Sequence, residues 1–389
     1  MEQKPTSARF EFLDALRGLA ILGVLSTHCA WFSGGEFPGK AFAFAGLYGV
    51  QLFFVVSAFT IFLTLERSAA REPAFVRSFF IRRVLRIAPM FWVGILIYAF
   101  LPGREHYYET YPPGPLHYVL TALLAHGWHP LFFNNVVPGG WTIADEMSFY
   151  LLAPLLFLAI KHWKTAAVFF CASLLIAWAA HEALRIATNH KWIFAQVPMD
   201  ILQQFAGKWF PSQLPVFACG ILAFYLVKAL PEKFHSKQTG LSLLAAALAL
   251  LICAVGIGAH GIFTEPVVFA LGFLLLVLAL AVYPLPLIVN PAIRFLGRVS
   301  YSFYLLHFVF MDWEIKFLRT HCPNVFDNAL VAYCILFAST LAIVTTISRL
   351  TWKFIEQPFI QLGARLVRRL NDSAAKTTVP QAGLTPAKN

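Results

Sequence analysis

Apolar residues occur along this chain in long blocks. Runs without Asp, Glu, Lys or Arg include residues 41–65, 87–103, 209–227, 238–264, 266–293 and 328–348. Three shorter blocks, 147–160, 165–180 and 299–311, are bounded or interrupted by charge. A helix needs about 20 mostly apolar residues to cross a bilayer. Together with residues 10–32, the blocks predict ten spans. Their cores lie near 10–32, 42–65, 84–101, 141–160, 165–182, 209–229, 240–260, 265–285, 299–315 and 328–354. Residues 116–126 predict a short extra helix on a loop, too short to span. The fold class that follows is an all-α integral membrane protein, a bundle of about ten transmembrane helices.

Composition agrees. Of 389 residues, 59% are hydrophobic and 13% charged, against about 25% charged in an ordinary globular domain. Mean hydropathy is +0.68. These values exclude a soluble enzyme, a disordered chain and a nucleic-acid module, despite a net charge of +11. The first 32 residues resemble a signal peptide superficially, but Glu11, Asp14 and Arg17 interrupt the apolar stretch and no small-residue cleavage site follows. They predict a retained first span. The six cysteines form no CxxC pair and suit apolar packing rather than a disulfide framework or a zinc site.

The basic residues set the orientation. With the N-terminus inside, 22 of the 30 Lys and Arg fall on cytoplasmic segments. Seven fall outside: Lys40, Arg104, Arg185, Lys191, Lys208, Lys316 and Arg319. Arg17 lies within the first span. That bias predicts both termini in the cytoplasm. The outer loops 102–140 and 183–208 are the longest connections, and long ordered loops are usually functional. Residues 1–360 read as one transmembrane domain. Residues 361–389 read as a basic, disordered cytoplasmic tail.

Ionisable groups inside apolar helices are costly and mark candidate chemistry. On the first span, Arg17 and His28 are 11 residues apart. That is close to three turns, so they share a face about 16 Å apart, joined by Asp14. Arg17 alone suits snorkelling and a pair with Asp14; all three aligned suit function. Arg83 and Arg86 are spaced i, i+3 at the start of the third span. From a helix N-terminus, two guanidinium forks match one phosphate. Glu146 and Tyr150 share a face of the fourth span. By its distance from the outer end, Glu146 lies at the depth of His28, where a carboxylate can orient an imidazole or bind a hydroxyl. Asp145, pointing elsewhere, reads as the headgroup-level acid. Ser300, Tyr304 and His307 fall on one face of the ninth span, with His307 near mid-membrane and equally readable as a structural histidine. Glu356 reads as the ion-pair partner of Lys353 or of the Arg83/Arg86 cluster. No metal-ligand set appears at recognisable spacing.

Taken together, these stretches resemble the acyltransferase-3 family of integral-membrane acyltransferases, from about residue 10 to 359. The family's Arg-x10-His appears as Arg17 and His28, and its Arg-x-x-Arg as Arg83 and Arg86. W-[ST]-[LI]-x-x-E-x-x-F-Y-L-L-x-P runs from Trp141 to Pro154. S-Y-S-x-Y-L-x-H ends at His307, and I-E-x-P is Ile355 to Pro358. Two positions depart: Gln51 stands where members often carry an acid, and Ala58 where they carry Gly. The resemblance implies an O-acetyltransferase of the cytoplasmic (inner) membrane, without an SGNH domain. It would move an acyl group, usually acetyl, from acyl-CoA to a hydroxyl of a cell-surface sugar, glycolipid or similar acceptor. Acetyl-CoA or another acyl-CoA is then a donor substrate, with no permanently bound cofactor. The expected partners are that donor, a saccharide or lipid-linked acceptor and the bilayer, and no nucleic acid. In this scheme Arg83 and Arg86 hold the donor phosphates, and Arg17 lies along the pantetheine arm. His28 is general base or transient nucleophile, and Glu146 orients it or the acceptor. Asp14, Tyr150, His307 and Glu356 support the site or its acceptor pocket. The rival reading is a proton-coupled transporter or flippase, which buried Arg, His and Glu also suit; no inverted repeat supports it.

Overall fold

The computed structural model describes residues 10–100, 111–256 and 264–377. Among them the chain is helical and contains no strand. The helices are α1 (Glu11–Phe32), α2 (Lys40–Ala45), α3 (Gly49–Ala69), α4 (Phe75–Phe100), α5 (Pro115–Ala122), α6 (Trp141–Ala159), α7 (Trp163–Asn189), α8 (Met199–Lys208), α9 (Phe210–Ala229), α10 (Lys237–Gly256), α11 (Glu265–Val282), α12 (Pro291–His321), α13 (Ala329–Thr351) and α14 (Gln357–Thr377). A five-residue π-turn, Trp352–Glu356, joins the last two.

Nine of the described segments are long and apolar enough to cross a membrane. The tenth predicted span, 299–315, lies inside α12. That helix has 31 residues, ample length, but is more polar than the nine. The reason is its place in the fold. It packs against α1, α4 and α13, and only surfaces that touch lipid must be apolar. Proline at its first turn and the Asn290 side chain, which accepts from the Ile293 amide at 3.0 Å, start it cleanly. By contrast α7 and α10 are only 17% buried across their apolar windows and present most of their surface outward.

Two expectations are corrected, and one connection gains a place in the fold. The third span starts at Phe75, not near residue 84, so Arg83 and Arg86 sit two turns and more inside α4 and not at its N-terminus. A dipole at a helix end therefore does not act on them. The connection before α6, one of the two long outer loops, packs inward: Phe133, Val136 and Val137 are buried, and so are the first residues of α6. Finally, the predicted tail is helical to Thr377. Gly363, Val367 and Leu370, spaced at helical intervals, form a stripe, and Gly363 lies against Leu85 and Arg82 of α4. Three apolar or small residues at that spacing suffice to dock a helix whose composition is otherwise polar. Residues 1–9, 101–110 at the start of the first outer loop, 257–263 with the end of the predicted 240–260 span, and 378–389 lie outside the described residues.

Candidate functional site

The site is built on a close crossing of α1 and α12. A Cβ at Gly297 would stand 1.8 Å from the Asp14 carbonyl oxygen, and one at Gly18 would stand 2.1 Å from that of Ile293. Only glycine lets the two backbones touch there. Ten residues further along each helix, His28 and His307 meet. His307 Nε2 lies 3.2 Å from His28 Nδ1, and His307 Nδ1 lies 2.7 Å from the Tyr304 carbonyl. A carbonyl only accepts, so His307 Nδ1 carries a proton. In the neutral ring its Nε2 is then an acceptor, and His28 Nδ1 donates to it. A proton on Nδ1 leaves the lone pair on His28 Nε2, with the Val24 carbonyl also within bonding reach of the ring. Phe308 packs on the His28 ring, with centroids 4.4 Å apart. His307 is fully buried, whereas His28 is half-buried.

One helical turn before His307, the Tyr304 side chain enters the wall of a cavity. Arg17, Arg83, Arg86, Glu146, Tyr150 and Tyr301 line the same cavity, together with Ser57, Thr142, Ser300 and apolar side chains of α3, α4 and α6. Arg17 donates to Asp14 at 3.0 Å and to Thr60 at 2.8 Å. Arg83 reaches Thr64 at 3.4 Å and lies over the rings of Phe79 and Tyr150, at 5.6 and 5.5 Å. The Tyr150 hydroxyl donates to Glu146 at 2.9 Å. Three guanidinium groups thus converge on one cavity that holds a single carboxylate, an arrangement suited to an anion.

The placement of several side chains differs from the sequence reading. Glu146 lies within electrostatic reach of Arg17 and Arg83 and bonds Tyr150, not His28. Asp145 is not at the headgroup level: it is 1% exposed, and its Oδ2 has no hydrogen-bond partner among the described residues. Glu356 forms no ion pair with Lys353 or Arg83. It is buried and accepts from Ser302, with Arg86 near enough to influence it electrostatically. Asp14 pairs with Arg17 but does not line the cavity. The contact between His28 and His307 was not legible, since the two are 279 positions apart. Thr60 and Tyr301 were missed altogether; Tyr301 adjoins the Ser300–Tyr304–His307 face, and that was the available signal.

Outside the spans, two groups bear on the frame. Glu72 pairs with Arg82 in the turn between α3 and α4. Burial pushes its carboxyl up, but the bonds and charge of Arg82, with help from Ser78 and Asn371, outweigh this and hold it below the ordinary value. His126, in the buried connection before α6, donates through Nε2 to the Gly140 carbonyl at 3.0 Å. Burial lowers its imidazole to about 4 against that bond.

The chain was compared with known proteins. A family model described as an acyltransferase domain matches residues 10–349. Nodulation protein 10 of Rhizobium leguminosarum bv. viciae is 26% identical over 384 residues, covering 92% of this chain and 95% of its own. A Staphylococcus aureus strain COL protein named "Putative O-acetyltransferase SACOL0978" is 23% identical over 376 residues, or 91% of this chain and 58% of that one. The exopolysaccharide production protein ExoZ of Rhizobium meliloti is 28% identical over 242 residues, 56% of this chain and 68% of its own. No solved structure matches. With the model covering most of the chain and the helical bundle beside it, the chain belongs to the acyltransferase-3 family and is a multi-pass membrane acyltransferase.

Proposed function

We propose that this protein transfers an acyl group, acetyl in the first place, from cytoplasmic acyl-CoA to a hydroxyl of a cell-surface saccharide, glycolipid or lipid-linked acceptor. In this reading both termini and the arginine end of the cavity face the cytoplasm of the inner membrane, an orientation supported by the excess of basic residues on those segments. The observation that carries the reading is the pairing of His28 with His307 one turn from a cavity lined by Arg17, Arg83 and Arg86.

In this mechanism the arginines hold the donor's phosphates at the cytoplasmic end. The thioester reaches toward His28. Nε2 of His28 takes the acceptor's hydroxyl proton as its oxygen attacks the thioester carbonyl. The C–S bond breaks, and the proton passes from Nε2 to the departing sulfur. The products are an ester and free CoA. His307 keeps the imidazole in the right tautomer and takes part of the charge that develops on it. Glu146, bonded to Tyr150 among the arginines, positions the guanidinium groups or the acceptor, not the imidazole.

The test is turnover of acetyl-CoA by purified protein in nanodiscs, wild type beside His28→Ala. A positioned base contributes about 10²–10⁴-fold in rate, so the variant should lose at least about a hundredfold while still binding acetyl-CoA. Wild-type turnover in His28→Ala would remove the histidine from the chemistry.

A further inference from the structure

A second pocket lies at the π-turn. Arg298 of α12, Arg349 of α13, and Lys353 and Gln357 around the turn line it, with Phe295 and Trp352. Arg298, Arg349 and Lys353 are exposed, and among the described residues none has an acidic partner. The contrast with Arg294 is informative. One turn before Arg298, it is paired with Glu11. Three cations are therefore held together without a counter-charge, around two aromatic rings.

The π-turn explains why they converge. Its extra residue rotates the helix so that Glu356 turns inward to Ser302 while Lys353 turns outward. Arg349 and Lys353, spaced i, i+4 across the start of the turn, line the pocket together with Arg298 of α12. Two guanidinium forks and an ammonium suit a phosphate oxygen cluster better than a carboxylate, which a single fork satisfies. Tryptophan beside basic residues is also the composition of a membrane–water boundary.

We propose that this pocket binds a phosphate group, from an anionic phospholipid headgroup or from a soluble phosphate ester. It does so whatever the acyl donor is, because none of its residues lines the catalytic cavity.

The experiment uses the purified full chain in neutral detergent and follows its thermal unfolding. Phosphatidylglycerol and inorganic pyrophosphate are titrated separately, with phosphatidylcholine as the uncharged baseline. At least one anionic probe should raise the unfolding temperature saturably. Arg298→Gln/Arg349→Gln/Lys353→Gln should then raise its half-saturating concentration about fivefold per charge removed, on the order of a hundredfold in all. The charge-preserving Arg298→Lys/Arg349→Lys should stay within about tenfold of wild type, which separates lost binding from a folding defect. Lys233→Gln/Lys237→Gln, outside the pocket, should change nothing. Response to the lipid assigns the headgroup; response to pyrophosphate assigns a soluble ester. If neither probe acts saturably, or if the effect survives in the triple variant, the pocket is not a phosphate site.

Discussion

Replacing Gly297 by Ala tests whether the α1–α12 crossing sets the chemistry. The new methyl would stand 1.8 Å from the Asp14 carbonyl oxygen, where ordinary contact begins near 3.4 Å. Backbone is on the other side, so no side chain can swing away. The helices must separate by about 1.6 Å, the difference between those distances. Overpacking of this kind costs about 1–3 kcal/mol of stability. Carried ten residues along α12, the same separation takes the His28–His307 distance from 3.2 Å to about 4.8 Å, beyond hydrogen bonding. A hydrogen bond to a charged group is worth about 1.5–3 kcal/mol. Because the imidazole is charged in the transition state and not before, that energy appears in the rate, as roughly ten- to a hundredfold in kcat. The assay is acetyl-CoA turnover in nanodiscs, with kcat and KM determined separately. Gly94→Ala is the control, since a methyl there meets only Leu305 side-chain atoms at 3.9 Å. If Gly297→Ala folds and retains kcat within twofold, the histidine pair is not held by this crossing for catalysis.

Two further outcomes are expected. Arg83→Ala/Arg86→Ala should raise the KM for acetyl-CoA by at least about tenfold and change kcat less, as loss of a charge-assisted phosphate contact does; an unchanged KM would remove both from donor binding. Glu72→Gln should loosen the α3–α4 turn by about 1–2 kcal/mol at neutral pH, since the Glu72–Arg82 pair is only partly exposed. The Glu72 carboxyl is held below its unfolded value, so its contribution is complete above the unfolded pKa and disappears as pH falls through the folded one. The difference between wild type and Glu72→Gln in thermal unfolding should therefore vanish in acid, and a constant difference across pH would refute the pairing.

Much of the bundle was legible because lipid imposes a simple rule on whatever touches it. Blocks such as 238–264 and 266–293 are visible without any alignment. The rule weakens where protein replaces lipid. α12 carries the polar face that meets α1, so its apolar core understated a 31-residue helix. Asp145 was misread for the same reason, since the start of α6 is buried by protein. Arg17, Arg83, Arg86, Glu146 and Tyr150 were each found from the cost of placing them in an apolar segment, and the structure gathers them on one cavity. What no local pattern encodes is which distant helices touch. The Gly18 and Gly297 contacts, and the histidine pair beyond them, depend on that.

The same separation has a consequence for biogenesis. The residues that meet at the histidine pair are 279 positions apart. At a synthesis rate of about 5–20 residues per second, α1 enters the membrane about 14–56 s before its partner exists. During that interval Arg17 and Asp14 have no α12 beside them. Their own bond, three residues apart on a single helix, is available at once and leaves the newborn span carrying a neutral pair instead of a bare cation. The Asp14–Arg17 bridge thus equips the first helix to wait in lipid until the rest of the chain arrives.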